Sequence, residues 1–319
     1  MATDANLIAS WFLEMQNRLV IRPARESELT AALEIVFRHH APAERQTRTR
    51  NAFRLIQQGD LNPAGVLVAL DGPRLCGAMV CLGVPGASAM VWPPQAISAV
   101  NLVDIEDQLL EYGMQWLRQL GTRLVQALLL PTESDLAKPL LRSGFTHVTN
   151  LEYLRHTLRL LDERPPSKES RYVFIAYSTC DRDIFNQTLL ATYCDTLDCP
   201  EVNGVRDIQE IIEGHRSQGI HDPERWWLAF DNGQPAGVLL LTDVPEWSGW
   251  DVSYIGVVPS FRRKGLGTAL TRKALFEARS AGAAQLTLAL DIRNTPASQL
   301  YRSQGFTPFD ERQVYLAIR

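Results

Sequence analysis

Val257-Val258-Pro259-Ser260-Phe261-Arg262-Arg263-Lys264-Gly265-Leu266-Gly267-Thr268 joins an apolar run at 252–258 to a helical pattern whose apolar face includes Leu270, Ala274, Leu275 and Ala278. The run reads as a strand stopped by Pro259, and the glycines fall where a turn opens into a helix. The first N–H groups of a helix have no intrahelical acceptor and point outward to an anion. Gly265 and Gly267 remove the Cβ atoms that would block a close approach of phosphate to backbone, and Arg262, Arg263 and Lys264 add local positive charge. The segment is therefore expected to bind an anion through its backbone. It lacks the Gly-Lys-Ser/Thr ending of a nucleotide P-loop and stands too far from its strand for the dinucleotide fingerprint.

A second motif follows: Asn294-Thr295-Pro296-Ala297-Ser298-Gln299-Leu300-Tyr301-Arg302-Ser303-Gln304-Gly305-Phe306. Together the two resemble the GNAT superfamily of acyl-CoA N-acyltransferases, in which Arg/Gln-x-x-Gly-x-Gly/Ala follows a strand and Asn-x-x-Ala-x-x-Leu-Tyr-x-x-x-Gly-Phe comes later. The resemblance covers about residues 172–319. It implies acetyl-CoA as co-substrate, lying between two splayed strands, with Val257 and Val258 offering backbone groups to pantetheine. Pro259, Arg262, Arg263, Lys264, Gly265, Leu266, Gly267 and Thr268 would form the pyrophosphate turn, and Asn294 would lie near pantetheine or the acceptor. Tyr301 would protonate the departing thiolate. Some family members carry a glutamate base where this chain has Ala289; others use an acid on the strand before Val257, and there Asp251 is the candidate, with Glu246 and Asp243 behind it. Acceptor recognition would fall to the irregular polar segment 196–206, with Asp198, Asn203 and Arg206, although Asp198 and Asn203 also suit turn and helix caps.

The rest of the chain repeats the plan. The stretch 162–171, with Pro165-Pro166, reads as a linker, dividing 1–164 from 165–319. Before it, a strand near Val20, a helix over 26–37 and a strand pair at 66–70 and 78–82 precede a helix stopped by Gly121 and a strand at 125–129. After it, the same order runs through 172–176, a helix following Asp181, strands at 226–230 and 237–241, Gly282 and a strand at 286–290. Phe145 and Phe306 set an offset of 161 residues. The fold expected is α/β (α+β): tandem GNAT-like domains, each a mixed, mainly antiparallel sheet flanked by helices. At that offset Arg262 falls on Asn101, Gly265 on Asp104, Gly267 on Glu106, Asn294 on Glu133 and Tyr301 on Leu140. Carboxylates in an anion turn oppose binding, so the first half is expected to keep the fold and lose the chemistry. Tandem members with one degenerate half, of the mycothiol-synthase type, share this layout.

Several classes are excluded. A net charge of −4 gives no electrostatic case for nucleic acid or an anionic membrane. Arg45, Arg48, Arg50 and Arg54 alternate with apolar residues as the solvated face of a helix, and Leu7, Ile8, Trp11, Phe12, Met15 and Leu19 space as a short docking helix. No apolar run reaches membrane-spanning length. Cys76, Cys81, Cys180, Cys194 and Cys199 form no CxxC pair, which fits a reducing cytoplasm. Cys194 and Cys199 with His215 and His221 lack the spacing of a zinc site, so no metal is expected; His215 is read as a surface residue. The function expected is acetyl transfer from acetyl-CoA to a primary amine of a small molecule or peptide. Acetylation of a cysteinyl amine and a non-catalytic acyl-CoA-sensing module are the alternatives, and the oligomeric state is open.

Overall fold

The computed structural model describes residues 19–97, 101–158, 171–245 and 248–318. The docking helix, Glu246 and nearly all of the expected linker lie outside these residues. In chain order the first half comprises β1 (Leu19–Pro23), α1 (Leu29–Val36), α2 (Pro42–Gln58), β2 (Val66–Asp71), β3 (Arg74–Val84), β4 (Ser88–Ala96), α3 (Leu102–Gln119), β5 (Leu124–Leu129), a 3-10 segment Pro131–Leu136, α4 (Ala137–Arg142) and β6 (Thr146–Thr157). The second half comprises β7 (Tyr172–Ala176), α5 (Arg182–Thr192), α6 (Ile208–Arg216), β8 (Trp226–Asp231), β9 (Gln234–Val244), β10 (Gly249–Val257), α7 (Leu266–Ser280), β11 (Gln285–Asp291), α8 (Thr295–Ser303) and β12 (Thr307–Ile318). This is the α/β architecture expected, and the element order is the same in both halves. Among the described residues no helix is long and apolar enough to cross a membrane.

The chain forms two compact units, Met1–His147 with Tyr315–Arg319, and Val148–Val314. In the first, β1-β2-β3-β4 pair antiparallel and β4 meets β5 in parallel. In the second, β7-β8-β9-β10 pair antiparallel, β10 meets β11 in parallel, and β6 closes on β11 antiparallel. The linear division at 164/165 is therefore corrected. From Asp291↔Leu151 to Gln285↔Thr157, β6 pairs with β11, and Leu154 is fully buried in the second unit's core. Conversely Tyr315, from the end of β12, is buried in the first unit's core. Each half thus surrenders its last strand segment to the other unit. Sequence proximity could not show this, because β-pairing is decided by which edge is open.

The apolar runs read as strands are buried on both faces. Leu67 and Ala69 of β2 pack with Leu109, Leu110 and Met114 of α3, while Val66, Val68 and Leu70 pack with Leu33 and Val36 of α1. In the second unit Trp227, Leu239 and Leu241 face Leu270 and Ala274 of α7, and Trp226, Leu228 and Leu240 face Phe185 and Leu189 of α5. Helices on both faces explain why these strands show no polar alternation. Gly121 and Gly282 stop the corresponding helices α3 and α7 at φ of 76° and 79°, the left-handed region where a Cβ is costly.

Leu154→Ala should cost the second unit about 2–5 kcal/mol in urea unfolding, since it empties a fully buried site. A fragment starting at residue 171, which leaves β11 without its β6 neighbour, should aggregate where one starting at 146 stays monomeric in gel filtration.

Candidate active site

The site grows from a failed pairing. β10 and β11 pair only through Gly249–Asp251 and Gln285–Thr287, and beyond Asp251 they part. The register of β10 against β9 shifts between Val252 and Tyr254, so an extra residue, Ser253, bends the strand away. Between the diverging strands opens a cavity of about 630 Å³, lined by β10 residues 252–257, Leu288–Leu290 of β11, α8 with Tyr301, and the 195–198 segment. That volume suits a ligand of cofactor size.

At one end stands the anion turn. Gly265 takes φ of 93° and caps α7 with no side-chain cap bond. The hydrogen-bond ladder of the helix begins with Ala269 N–H donating to Gly265 O at 3.1 Å, so the N–H groups of Leu266, Gly267 and Thr268 precede it and are the orphans of the helix start. A Cβ on Gly267 would meet Leu300 Cδ2 at 3.1 Å, so the turn is built close against α8. Arg263, Gly265, Gly267 and Thr268 line the cavity, whereas Lys264 lays its ammonium 5.6 Å from the Phe261 ring centroid. A backbone cradle of this kind fits a pyrophosphate.

Arg262 does something else. Its guanidinium donates to Val257 O (3.0 Å), Asp195 O (2.9 Å), Thr192 O (3.1 Å) and Cys194 O (2.6 Å). It satisfies carbonyls left over at the C-terminal end of α5, and these bonds leave it little capacity for phosphate. Val257 and Val258 are engaged as well. Val258 N–H donates to Ala236 O, Val258 O accepts from Phe261 N–H, and Val257 O is held by Arg262. Strand alternation turns the Val257 N–H toward the open edge, the one group of this pair left for a ligand. Pro259 begins the 3-10 turn Pro259–Phe261.

Tyr301 is buried, its ring edge-on to Phe306, and its hydroxyl belongs to a residue lining the cavity. Burial, with the Asp198 carboxylate and Tyr254 adding to it, holds its proton well above the usual phenol range. Asn294 accepts from Ala297 N–H at 3.2 Å and so caps α8, while also lining the cavity. Asp251 lies where the strands part. Thr287 Oγ1 donates to its Oδ1 at 2.6 Å, and burial nevertheless raises its pKa to about 6. Asp243 pairs across from Trp250 on β9, one position back.

Of the three acceptor-segment residues only Asp198 lines the cavity. Its Oδ1 accepts the Asp291 N–H at 2.8 Å, while Asn203 donates to Tyr193 O at 3.2 Å. Burial lowers the pKa of Arg206. The cap of α6 is Asp207, which accepts from Gln209 and Glu210 N–H. Sequence reasoning missed what fixes this segment. Asp291, 0 % exposed, accepts from Thr149 Oγ1 (2.6 Å), Cys199 N–H (3.1 Å) and Arg293, and Arg293 forks onto Glu201 at 2.7 and 3.0 Å. An aspartate ending an apolar strand was the available signal. His215 is a correction too: it is 9 % exposed, bonds Tyr193 Oη at 3.2 Å, and burial pushes its pKa down to about 4.

The first unit differs at the corresponding place. α3 is capped by Asn101 at φ of 65°, as α7 is capped by Gly265. The offset of 161 therefore slips by three residues here, setting Asn101 rather than Asp104 opposite Gly265. Asparagine tolerates the left-handed region, so the turn survives. Val103 then stands opposite Gly267, Asp104 sits in the first turn, and Glu106 is turned inward to Arg142 at 3.0 Å.

Fold and cleft together define an acyl-CoA N-acyltransferase layout. Residues 191–306 match the acetyltransferase (GNAT) family, so the second half carries a GNAT domain. A mycothiol acetyltransferase of Beutenbergia cavernae is 37% identical over 90 residues, 27% of this chain and 30% of that protein. The chain thus spans about a third of the length of such relatives. A GCN5-related N-acetyltransferase from Sphaerobacter thermophilus has a similar fold at TM-score 0.59, with 16% identity over 94% of this chain and 95% of that one. A tandem GNAT protein from the clavulanic acid biosynthesis pathway aligns at TM-score 0.50 and 15% identity, covering 94% and 98%.

Because four carbonyls depend on a forked donor, Arg262→Lys should destabilise nearly as much as Arg262→Ala, by about 1.5–3 kcal/mol. Arg263→Ala should stay within about 0.5 kcal/mol of the parent in the same urea melts.

Proposed function

We propose that the second unit transfers an acetyl group from acetyl-CoA to a primary amine of a small molecule or peptide. The observation that carries this is the splayed cleft, with an uncapped helix start at one end and Tyr301 in its wall. The orphan N–H groups of 266–268 hold the pyrophosphate, and the open edge of β10 receives the pantetheine amides as a neighbouring strand would. Bound there, acetyl-CoA supplies an activated thioester carbonyl. The Val257 N–H polarises that carbonyl as charge gathers on its oxygen. Asp251, ionised above about pH 6, accepts the proton that the acceptor amine must lose, through water. Tyr301 keeps its proton at every working pH and gives it to the departing sulfur.

The acceptor enters beside Asp198, where Ala289 leaves room; Asp251, held by Thr287 at the last paired position of β10 and β11, does not line the cavity and takes the proton through water. The likeness to mycothiol acetyltransferases favours a second reading of the same site, in which the amine is that of a cysteinyl group. The first unit serves as a fold-keeping half, with Val103 and Asp104 in place of an anion cradle.

Calorimetry should give about one coenzyme A site per chain, and Gly267→Glu should abolish it, because that side chain would enter the space against Leu300 with a like charge. Two equivalent sites would overturn the assignment to the second unit.

With an acceptor in hand, Tyr301→Phe should lower kcat by about 10²–10⁴-fold with coenzyme A affinity changed less than about threefold. The rate should fall as pH drops through about 6, where Asp251 takes up a proton, and Asp251→Asn should erase that limb. A kcat within about twofold of the parent for Tyr301→Phe would leave Tyr301 a packing residue.

A further inference from the structure

The first unit holds a cluster that the acyltransferase reading does not use. His39 and His40 lie in the turn between α1 and α2, and Glu133 lies in the 3-10 segment after β5. Both Nε2 atoms converge on one oxygen: His39 at 3.3 Å and His40 at 3.5 Å from Glu133 Oε1. The other carboxylate oxygen, Oε2, accepts the Leu130 N–H at 2.9 Å, which fixes the orientation of the group. On the far side of His40, Nδ1 lies 3.4 Å from Glu44 Oε1. The side chains of His40 and Glu133 are 8% and 14% exposed, that of His39 24%.

As a hydrogen-bonded set this arrangement is poor. A neutral imidazole carries one N–H, yet His40 presents its two nitrogens to two carboxylates. Whichever nitrogen holds the proton, the other directs a lone pair at an anion. The contacts to Glu133 are also longer than good N–H···O bonds.

As a ligand set it is coherent. With bonds of about 2.0–2.2 Å, ligands around a tetrahedral zinc ion stand roughly 3.3–3.5 Å apart. The separations of both Nε2 atoms from Glu133 Oε1 fall at that spacing, and the three ligand atoms lie within 4.8 Å of one another. Glu44 would accept the Nδ1–H of His40 and leave Nε2 free to bind, the carboxylate–histidine–metal relay that orients such ligands. Imidazole with carboxylate suits zinc among the common divalent ions.

We propose that His39, His40 and Glu133 form a zinc site with Glu44 as supporting residue and a fourth position open to water. This departs from the expectation of no metal, which rested on the cysteine spacing of the second half. The site joins the α1–α2 turn to the segment after β5. At the offset of 161, Glu133 stands where the second half has Asn294, a residue of its cleft wall. In the first unit a metal staple would therefore occupy the region that serves coenzyme A in the second.

The test uses the full chain, stripped with chelator and titrated with zinc or cobalt(II) alone. Expected are about one ion per chain retained through gel filtration, a higher melting temperature, and the intense visible absorption of four-coordinate cobalt. His40→Ala and Glu133→Gln should each abolish stoichiometric retention, and Glu44→Gln should weaken it about 10–100-fold. His147→Ala, outside the cluster, should change nothing. Circular dichroism melts without metal check that the variants fold; Glu133→Gln preserves shape should the alanine variant fail. Coenzyme A binding should be indifferent to the chelator. Retention of well under about half an ion per chain by the parent, or undiminished retention in folded Glu133→Gln, would overturn the proposal.

Discussion

Everything about the second unit depends on β10 and β11 pairing for three residues and then separating. A parallel pair that ran its full length would satisfy both backbones and leave no cleft. The shift at Val252/Tyr254 turns β10 away, and beyond Asp251 this edge of β10 has no strand partner among the described residues. Unpaired buried amides are costly, so the gap is a standing demand for something extended and amide-bearing. The first unit shows the same arrangement, β4 and β5 pairing only over Ser88–Met90 and Leu124–Gln126. What separates the halves is the chemistry at the rim of the gap.

The rim is held by charges in structural roles. Arg262 collects the carbonyls at the end of α5 and ties them to Val257, fixing the opening of the cleft from one side. Asp291 does so from the other, accepting from Thr149, Cys199 and Arg293, while Asp198 accepts the N–H of Asp291. The Arg293 guanidinium and these hydrogen bonds outweigh burial and keep Asp291 below the usual carboxylate range, whereas Asp198, with burial dominant, is pushed above it. Two neighbouring aspartates thus diverge because one holds an arginine and the other mainly a single amide. Asp251 is raised by the same burial, with only Thr287 to offset it.

Most of the fold and the outline of the site were legible in the sequence, for local reasons. Strand 172–176 and the buried runs of β2, β8 and β11 follow from apolar patterning, and Asp181 and Asp207 cap helices where short polar side chains precede an apolar periodicity. The glycine turn before α7 and Tyr301 on α8 come from spacing within short segments, where neighbours in sequence are neighbours in space. The left-handed position at the start of α3 is not legible in the sequence because asparagine, not glycine, fills it.

Only the tertiary structure decided which groups remain free to act. Arg262 reads as a phosphate ligand by composition and motif; carbonyls up to 70 residues away claim its guanidinium. His215 reads as a surface residue on an exposed helix and is buried against Tyr193 and Tyr254. Thr149 reaches Asp291 across 142 residues, and His39 meets Glu133 across 94. β6 and the end of β12 join units that their order in the chain does not suggest. The physical reason is common to all of these. Periodicity, caps and turns arise from interactions within a few residues, whereas burial, strand partners and the competition for hydrogen bonds are settled by groups brought together only when the chain closes.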